Sequence, residues 1–381
     1  MMKKLLTLLL LCAFALSNVT NASTETSNKE KQNASETKKV AMLISGHGKV
    51  DPALSYDLEE LVQSYLVFHQ NGVEIDIVSP EGGAVLVKKN KDDLAYIKQF
   101  KLQTRGLKQL ANTLSAEQAS QNTYDAVFVV GGDGAVFDLP FEKHTQNWLT
   151  SFAKADMPIA AVCHGPAALL DIMLDDGSYY VAGKRVNSFT SVEDYAFKKE
   201  NVEKYPVIVQ TELEKRGANF VANSPMLPFV TRDGNLITAQ NPMSVAKAAE
   251  ALLIQLGITP VARELFKDEA TMELISNARY MGMSYIDLAM AQNPEQYNMM
   301  YLALYGIYAY KLAESEEEKA LELRLMEKIG EHFKHPQYSM QLISTYLDIG
   351  NKDRAEFHYQ AAKKQFAEFK LPEALEAKYN G

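Results

Sequence analysis

The sequence has no excess of positive charge, almost no cysteine, and no long apolar run beyond its first residues. With 39 lysines and arginines against 48 acidic residues, the formal net charge is −9. That excludes nonspecific nucleic-acid binding and attraction to an anionic membrane surface, because no basic excess exists to neutralise phosphates. The leading apolar run, in "MMKKLLTLLLLCAFALSNVTNAS", is shorter than the ~18 to 20 residues a spanning helix requires. Two lysines, a short apolar stretch and then small polar residues are the layout of a secretory signal peptide, with Ala22 before the cut. The expectation is a periplasmic or secreted protein with no membrane span after signal cleavage. Loss of Lys3 and Lys4 with residues 1–22 takes the charge from −9 to −11.

Cysteine occurs twice, and cleavage removes Cys12, leaving Cys163 alone. A disulfide within one chain is then impossible. A lone thiol in an exported protein is exposed to oxidation unless it is buried or put to use. No cluster of histidine, cysteine or acid has metal-ligand spacing, so neither a metal nor any other cofactor is expected.

What remains is ordinary for a globular chain: 47% apolar and 23% charged residues over 381 positions, enough for two domains. Residues 23–39 hold Ser, Thr, Asn, Glu and Lys and read as a disordered spacer. From Val40 onward, apolar strand runs ("KVAMLIS", "VEIDIVSP", "YDAVFVV", "PIAAVC") alternate with amphipathic helices such as "YDLEELVQSYLVFHQNG". This alternation predicts an α/β domain over 40–258 with a parallel sheet covered on both faces. "YPVIVQ", "NFVAN" and "PFVTRDGNLITAQ" read as its later strands, and "GPAALLDIML" as a helix following Cys163. After Thr259-Pro260 the strand signals stop, and 259–381 reads as an all-α domain. There Leu342, Tyr346, Ala355, Tyr359 and Ala362 have the spacing of a tetratricopeptide helix pair, with Ile343 where that pattern wants glycine. Such a tail offers a surface for protein clients or for a second copy of the chain.

Reactive groups in a parallel sheet gather at the carboxyl ends of its strands. Cys163 falls at such an end, on a tight strand-to-helix turn in "PIAAVCHGPAALL", where helix-terminal amides favour the thiolate. Gly131, Gly132 and Gly134 follow another strand in "VVGGDG". They suit an oxyanion hole, a phosphate loop lacking its lysine, or a plain turn.

Together "SGHGK", "LEELVQSYLVF", "VEIDIVSPEGG", "VVGGDGAVFDLP", "AVCHGPAALL", "VNSFTSVED" and "AQNPMSVAKAAEALL" resemble the PfpI-like superfamily, which includes the parkinsonism-associated deglycase. The resemblance is best to its branch of heat-shock chaperones and glyoxalase III enzymes. It runs from Val40 to about Leu256 and leaves out the helical tail. It implies a flavodoxin-like sandwich of the class I glutamine amidotransferase type. It also implies Cys163 as nucleophile with His164 beside it, a buried glutamate at Glu60, and a third acid at Asp194 or Glu193. The amides of Gly131, Gly132 and His164 correspond to oxyanion donors. Asp133 stands where the family has histidine, and Ser188 where it has glycine.

The implied activity is glutathione-independent conversion of a small 2-oxoaldehyde such as methylglyoxal to lactate, or related deglycation, without metal or redox cofactor. A carboxyl brought against a thiolate keeps its proton, which suits Glu60 as acid and then base. An exported stress chaperone or thiol redox sensor is the non-enzymatic alternative. A cysteine peptidase or amidase would need His164 to reach Cys163. Glutamine amide hydrolysis is excluded, because the next histidine after His164 is His332, in the tail.

Overall fold

The computed structural model of the chain describes residues 37–87 and 92–380, and Lys38–Gly381 forms one compact unit. The leader and the spacer as far as residue 36 lie outside the described residues. Lys39, placed in the spacer by composition, is instead the first residue of a strand and pairs with Glu74.

Ten strands are described: β1 (Lys39–Leu43), β2 (Glu74–Ser79), β3 (Glu81–Gly83), β4 (Thr113–Ser115), β5 (Ala126–Val129), β6 (Ile159–Val162), β7 (Arg185–Val186), β8 (Asn219–Phe220), β9 (Val230–Asp233) and β10 (Leu236–Ala239). The main sheet runs β3-β4-β2-β1-β5-β6-β10-β9, and β7 pairs with β8 apart from it. Strands β4, β2, β1, β5, β6 and β10 are parallel, while β3 and β9 run antiparallel at the two edges. The chain leaves β1 towards β2 on one side and returns to β5 on the other. The crevice of such a sheet opens at that reversal, above the carboxyl ends of β1 and β5.

Both faces are covered. Helix α1 (Leu58–Gln70) buries Leu61, Val62, Leu66 and Phe68 against Val40, Met42 and Phe128. Each such side chain contributes about 1.5–3 kcal/mol on leaving water. The opposite face packs on Trp148, Leu149 and Phe152 of α2 (Lys143–Lys154).

Two expected elements differ. "YPVIVQ" is not a strand: Val209 opens helix α4 (Val209–Lys215), and Val209 and Leu213, one turn apart, bury a shared face. Cys163 is followed not by a long α-helix but by a 3-10 turn, Gly165–Leu169, every residue of which is buried.

Beyond α5 (Val245–Gln255) the chain is helical: α6 (Lys267–Met281), α7 (Ser284–Gln292), α8 (Met299–Leu312), α9 (Glu316–His332), α10 (Pro336–Asp348), α11 (Lys352–Gln365) and α12 (Glu373–Asn380). Leu342 and Tyr346 of α10 and Ala355 and Ala362 of α11 are buried in one core with Leu227 of the sheet-bearing part. Arg263 ties the two parts: Nε donates to Glu250 Oε1 at 2.8 Å and Nη1 to Glu269 Oε2 at 2.7 Å.

Candidate active site

Three segments meet at the reversal of the sheet: the N-terminus of α1, the glycines after β5, and Cys163 after β6. Asp57 caps α1, accepting the amides of Glu59 at 2.8 Å and Glu60 at 3.1 Å. Its own amide donates to Gly131 O at 3.0 Å, which sets the helix against the glycine loop. Glu60 points inward at 1% exposure, and its Oε2 accepts the Gly131 amide at 2.8 Å.

Cys163 is 4% exposed and has φ +56°, in the left-handed region that side chains rarely adopt. Its amide donates to Ala239 O and its carbonyl accepts from Phe189 N, each at 2.8 Å, so β10 and the segment after β7 hold the strained turn. Strain retained this way marks functional turns, the nucleophile elbow among them.

His164 is fully buried and turned towards the thiol, with Nδ1 3.7 Å from Cys163 Sγ. Its Nε2 lies 2.8 Å from Asp194 Oδ1, also at 0% exposure. The two acids of "SVED" thus separate. Asp194 orients the histidine. Glu193 is not beside the thiol but ties scaffold together: it accepts from Thr190 Oγ1 at 2.9 Å, Met226 N at 2.8 Å and Asn241 Nδ2 at 3.0 Å. Burial pushes its carboxyl up, opposed by those donors.

Lys198, which the sequence reading passed over, completes the electrostatics. Its Nζ lies 2.6 Å from Asp133 Oδ1, and Asn201 Nδ2 donates to Asp133 Oδ2 at 3.0 Å. Burial disfavours the ammonium, but the Asp133 carboxylate outweighs that and holds it charged, with Cys163 and Asp57 adding to the effect. Its signal in the sequence is the four-residue step from Asp194, which puts both on one face of α3 (Ser191–Phe197) and its C-cap.

Burial, followed by the Asp57 charge, pushes the Glu60 carboxyl well up, against hydrogen bonds from Cys163 and Gly131. Burial and then the Glu60 charge push the Cys163 thiol up as well, with Lys198 pulling it down. The expected preference for thiolate from a following helix is therefore absent: the short 3-10 turn supplies no such dipole, and desolvation dominates. Two adjacent groups that both resist ionising cannot both become anions, so when the pair gives up one proton the other stays between them.

The Gly131 amide is committed to Glu60, so it does not serve as a free oxyanion donor. The amides of Gly132 and His164 meet no protein acceptor among the described residues and can take that role. Gly132 (φ +99°) also lines a cavity of about 240 Å³ with Ser55, Tyr56, Asp57, Asp133 and Lys198. Among the described residues, the helical region gathers one group that spacing concealed, Asp287, Glu331 and His332. Lys328 Nζ already bridges its carboxylates, at 3.0 Å from Asp287 Oδ2 and 2.6 Å from Glu331 Oε2.

Residues 53–255 match the DJ-1/PfpI family. The chain is 34% identical over 173 residues to the probable glutathione-independent glyoxalase hsp3103 of Schizosaccharomyces pombe, covering 44% of this chain and 62% of that protein's own length. It is 33% identical over 152 residues to that organism's probable glutathione-independent glyoxalase hsp3104, covering 39% of this chain and 68% of the relative. Among solved structures, the Rapid Encystment Protein 24 KDa of Francisella tularensis is 25% identical with a TM-score of 0.53, covering 58% of this chain and 99% of that one. The family match covers the sheet-bearing part that carries Glu60 and Cys163, and the chain belongs to the DJ-1/PfpI family.

Proposed function

We propose that the protein is a glutathione-independent glyoxalase that converts a 2-oxoaldehyde such as methylglyoxal to lactate. The observation that carries the reading is the buried Glu60–Cys163 pair, locked by the Gly131 amide beside a cavity sized for a small molecule. The names of the S. pombe relatives support it.

The pair reacts after giving up one of its two protons, with the other shared between Sγ and the carboxyl. Sγ attacks the aldehyde carbon as Glu60 protonates the aldehyde oxygen, giving a hemithioacetal and a Glu60 carboxylate. That carboxylate removes the hydrogen from the same carbon, leaving an enediolate whose negative charge the Gly132 and His164 amides face. A proton moves from one enediol oxygen to the other, a transfer His164 can make while Asp194 holds its ring. Glu60 then protonates the central carbon, which leaves a lactoyl thioester on Cys163. Water hydrolyses this, returning the proton to the pair.

The Cys163–His164–Asp194 alignment also favours a hydrolytic reading, because His164 does reach the thiol. In the glyoxalase reading that alignment serves thioester hydrolysis, and the small cavity suits an aldehyde better than a polypeptide. With the leader expected from the sequence, the reaction would take place outside the cytosol.

Incubating the purified chain with methylglyoxal tests the reading. Lactate should form in step with aldehyde loss, and Glu60→Gln should lose this by about 10²-fold or more. Equal turnover by both proteins, or none by either, overturns it.

A further inference from the structure

The helical region touches α1 at Gln63. Gln63 of α1 donates to Asp268 Oδ2 of α6 at 2.8 Å. A second, narrow cavity of about 90 Å³ opens there, lined by Glu60, Glu59 and Gln63 from α1 and by Asp268 and Tyr301 from the helical region. Glu60 is 1% exposed and Asp268 5%. Each has one carboxyl oxygen, Oε1 and Oδ1, without a hydrogen-bond partner in the protein. A buried carboxyl oxygen left unsatisfied costs about 1–3 kcal/mol. Both residues line this one cavity, whose wall also carries Pro242 and Met243 and which has room for a few waters, and buried water there can bridge the two carboxyls.

We propose that Asp268 exchanges protons with Glu60 through water held in this cavity, so that the helical region supplies the solvent end of the active-site proton path. The proposal rests on the glyoxalase reading for its consequence. The hydrogen that Glu60 takes from the aldehyde carbon passes along the water to Asp268 and out. One from solvent returns by the same route and is delivered to the central carbon. No atom is gained or lost beyond this exchange, and no electron leaves the substrate. The other titratable groups facing Asp268 are Glu59 and Tyr96, whose hydroxyl donates to Glu59 Oε2 at 2.9 Å and lies 3.4 Å from Asp268 Oδ2. Asp57 and Tyr301 line the same cavity. Burial raises Asp268 to about 6, with Gln63 opposing, so it changes charge within the working range of an enzyme.

The test is turnover of methylglyoxal in D2O by the full chain and by Asp268→Asn. Wild type should place deuterium on the central carbon of lactate. Asp268→Asn should lower that fraction by about threefold or more and remove the inflection near 6 from the pH profile of kcat/KM, and Asp268→Glu should restore part of both. An unchanged deuterium fraction overturns the proposal. Should Asp268→Asn fail to fold, Gln63→Met removes the donor that holds Asp268 down and should move the inflection upward; no movement overturns it equally. If wild type makes no lactate, the glyoxalase reading fails by itself. The relay is then decided by the pH profile of Cys163 alkylation, which should carry an inflection near 6 that Asp268→Asn abolishes. Superimposable profiles would rule the relay out.

Discussion

Gly131 fixes Glu60 in place: its amide donates to Oε2 at 2.8 Å, and a Cβ added at this position would lie 2.7 Å from both that oxygen and Cys163 Cβ. The absence of a side chain is what lets carboxyl and thiol approach each other. Gly131→Ala should therefore separate the pair, costing about 1–3 kcal/mol of stability and most of the turnover. Thermal unfolding measured with the lactate assay checks both effects.

The raised Glu60 carboxyl links stability to pH. Its folded value lies above the ordinary 4.5, so its contribution is complete below 4.5 and is lost as pH rises through the raised value. Glu60→Gln keeps a neutral group there. Its melting temperature should exceed that of wild type by about 2 °C or more at alkaline pH, with the gap closing in acid.

Asp194 Oδ1 lies 2.8 Å from His164 Nε2, so in the proposed reaction it acts through the histidine. Asp194→Asn should lower lactate release on the order of 10²-fold. The same ring moves the proton between the enediol oxygens, so formation of the Cys163 thioester should slow as well, and mass spectrometry should find no build-up of it above wild type. The same substitution at Glu193 should instead lower stability, since Glu193 holds Thr190, Met226 and Asn241 together.

Lys198 is the positive charge that draws the Cys163 thiol down. Lys198→Met should slow alkylation of Cys163 at neutral pH by about three- to tenfold, while Lys198→Arg retains most of the rate.

Much of this was legible in the sequence. The strand runs ending at Val129 and Val162 locate the glycine loop and Cys163, because buried parallel strands are continuous apolar stretches. The amphipathic run of α1 was legible too, but only the family resemblance singled out Glu60 on it. Which acid of "SVED" faces the histidine was not legible, since Glu193 and Asp194 are adjacent and only tertiary packing separates them. "YPVIVQ" misled because a short apolar run has no period of its own. The alliance of Lys198 with Asp133 joins residues 65 positions apart in sequence through folding alone, and the approach of Asp268 to Glu60 spans 208 positions. The α10–α11 hairpin buries Leu342, Tyr346, Ala355 and Ala362 but only half-buries Tyr359, and burial of this kind is common to any helical pair.

The shared proton is the central claim, and the pH dependence of Cys163 alkylation in wild type and Glu60→Gln tests it most directly. Two groups holding one proton predict a two-step profile for wild type that collapses to a single step in the variant. Curves that superimpose would show that the thiol titrates alone and would contradict the account.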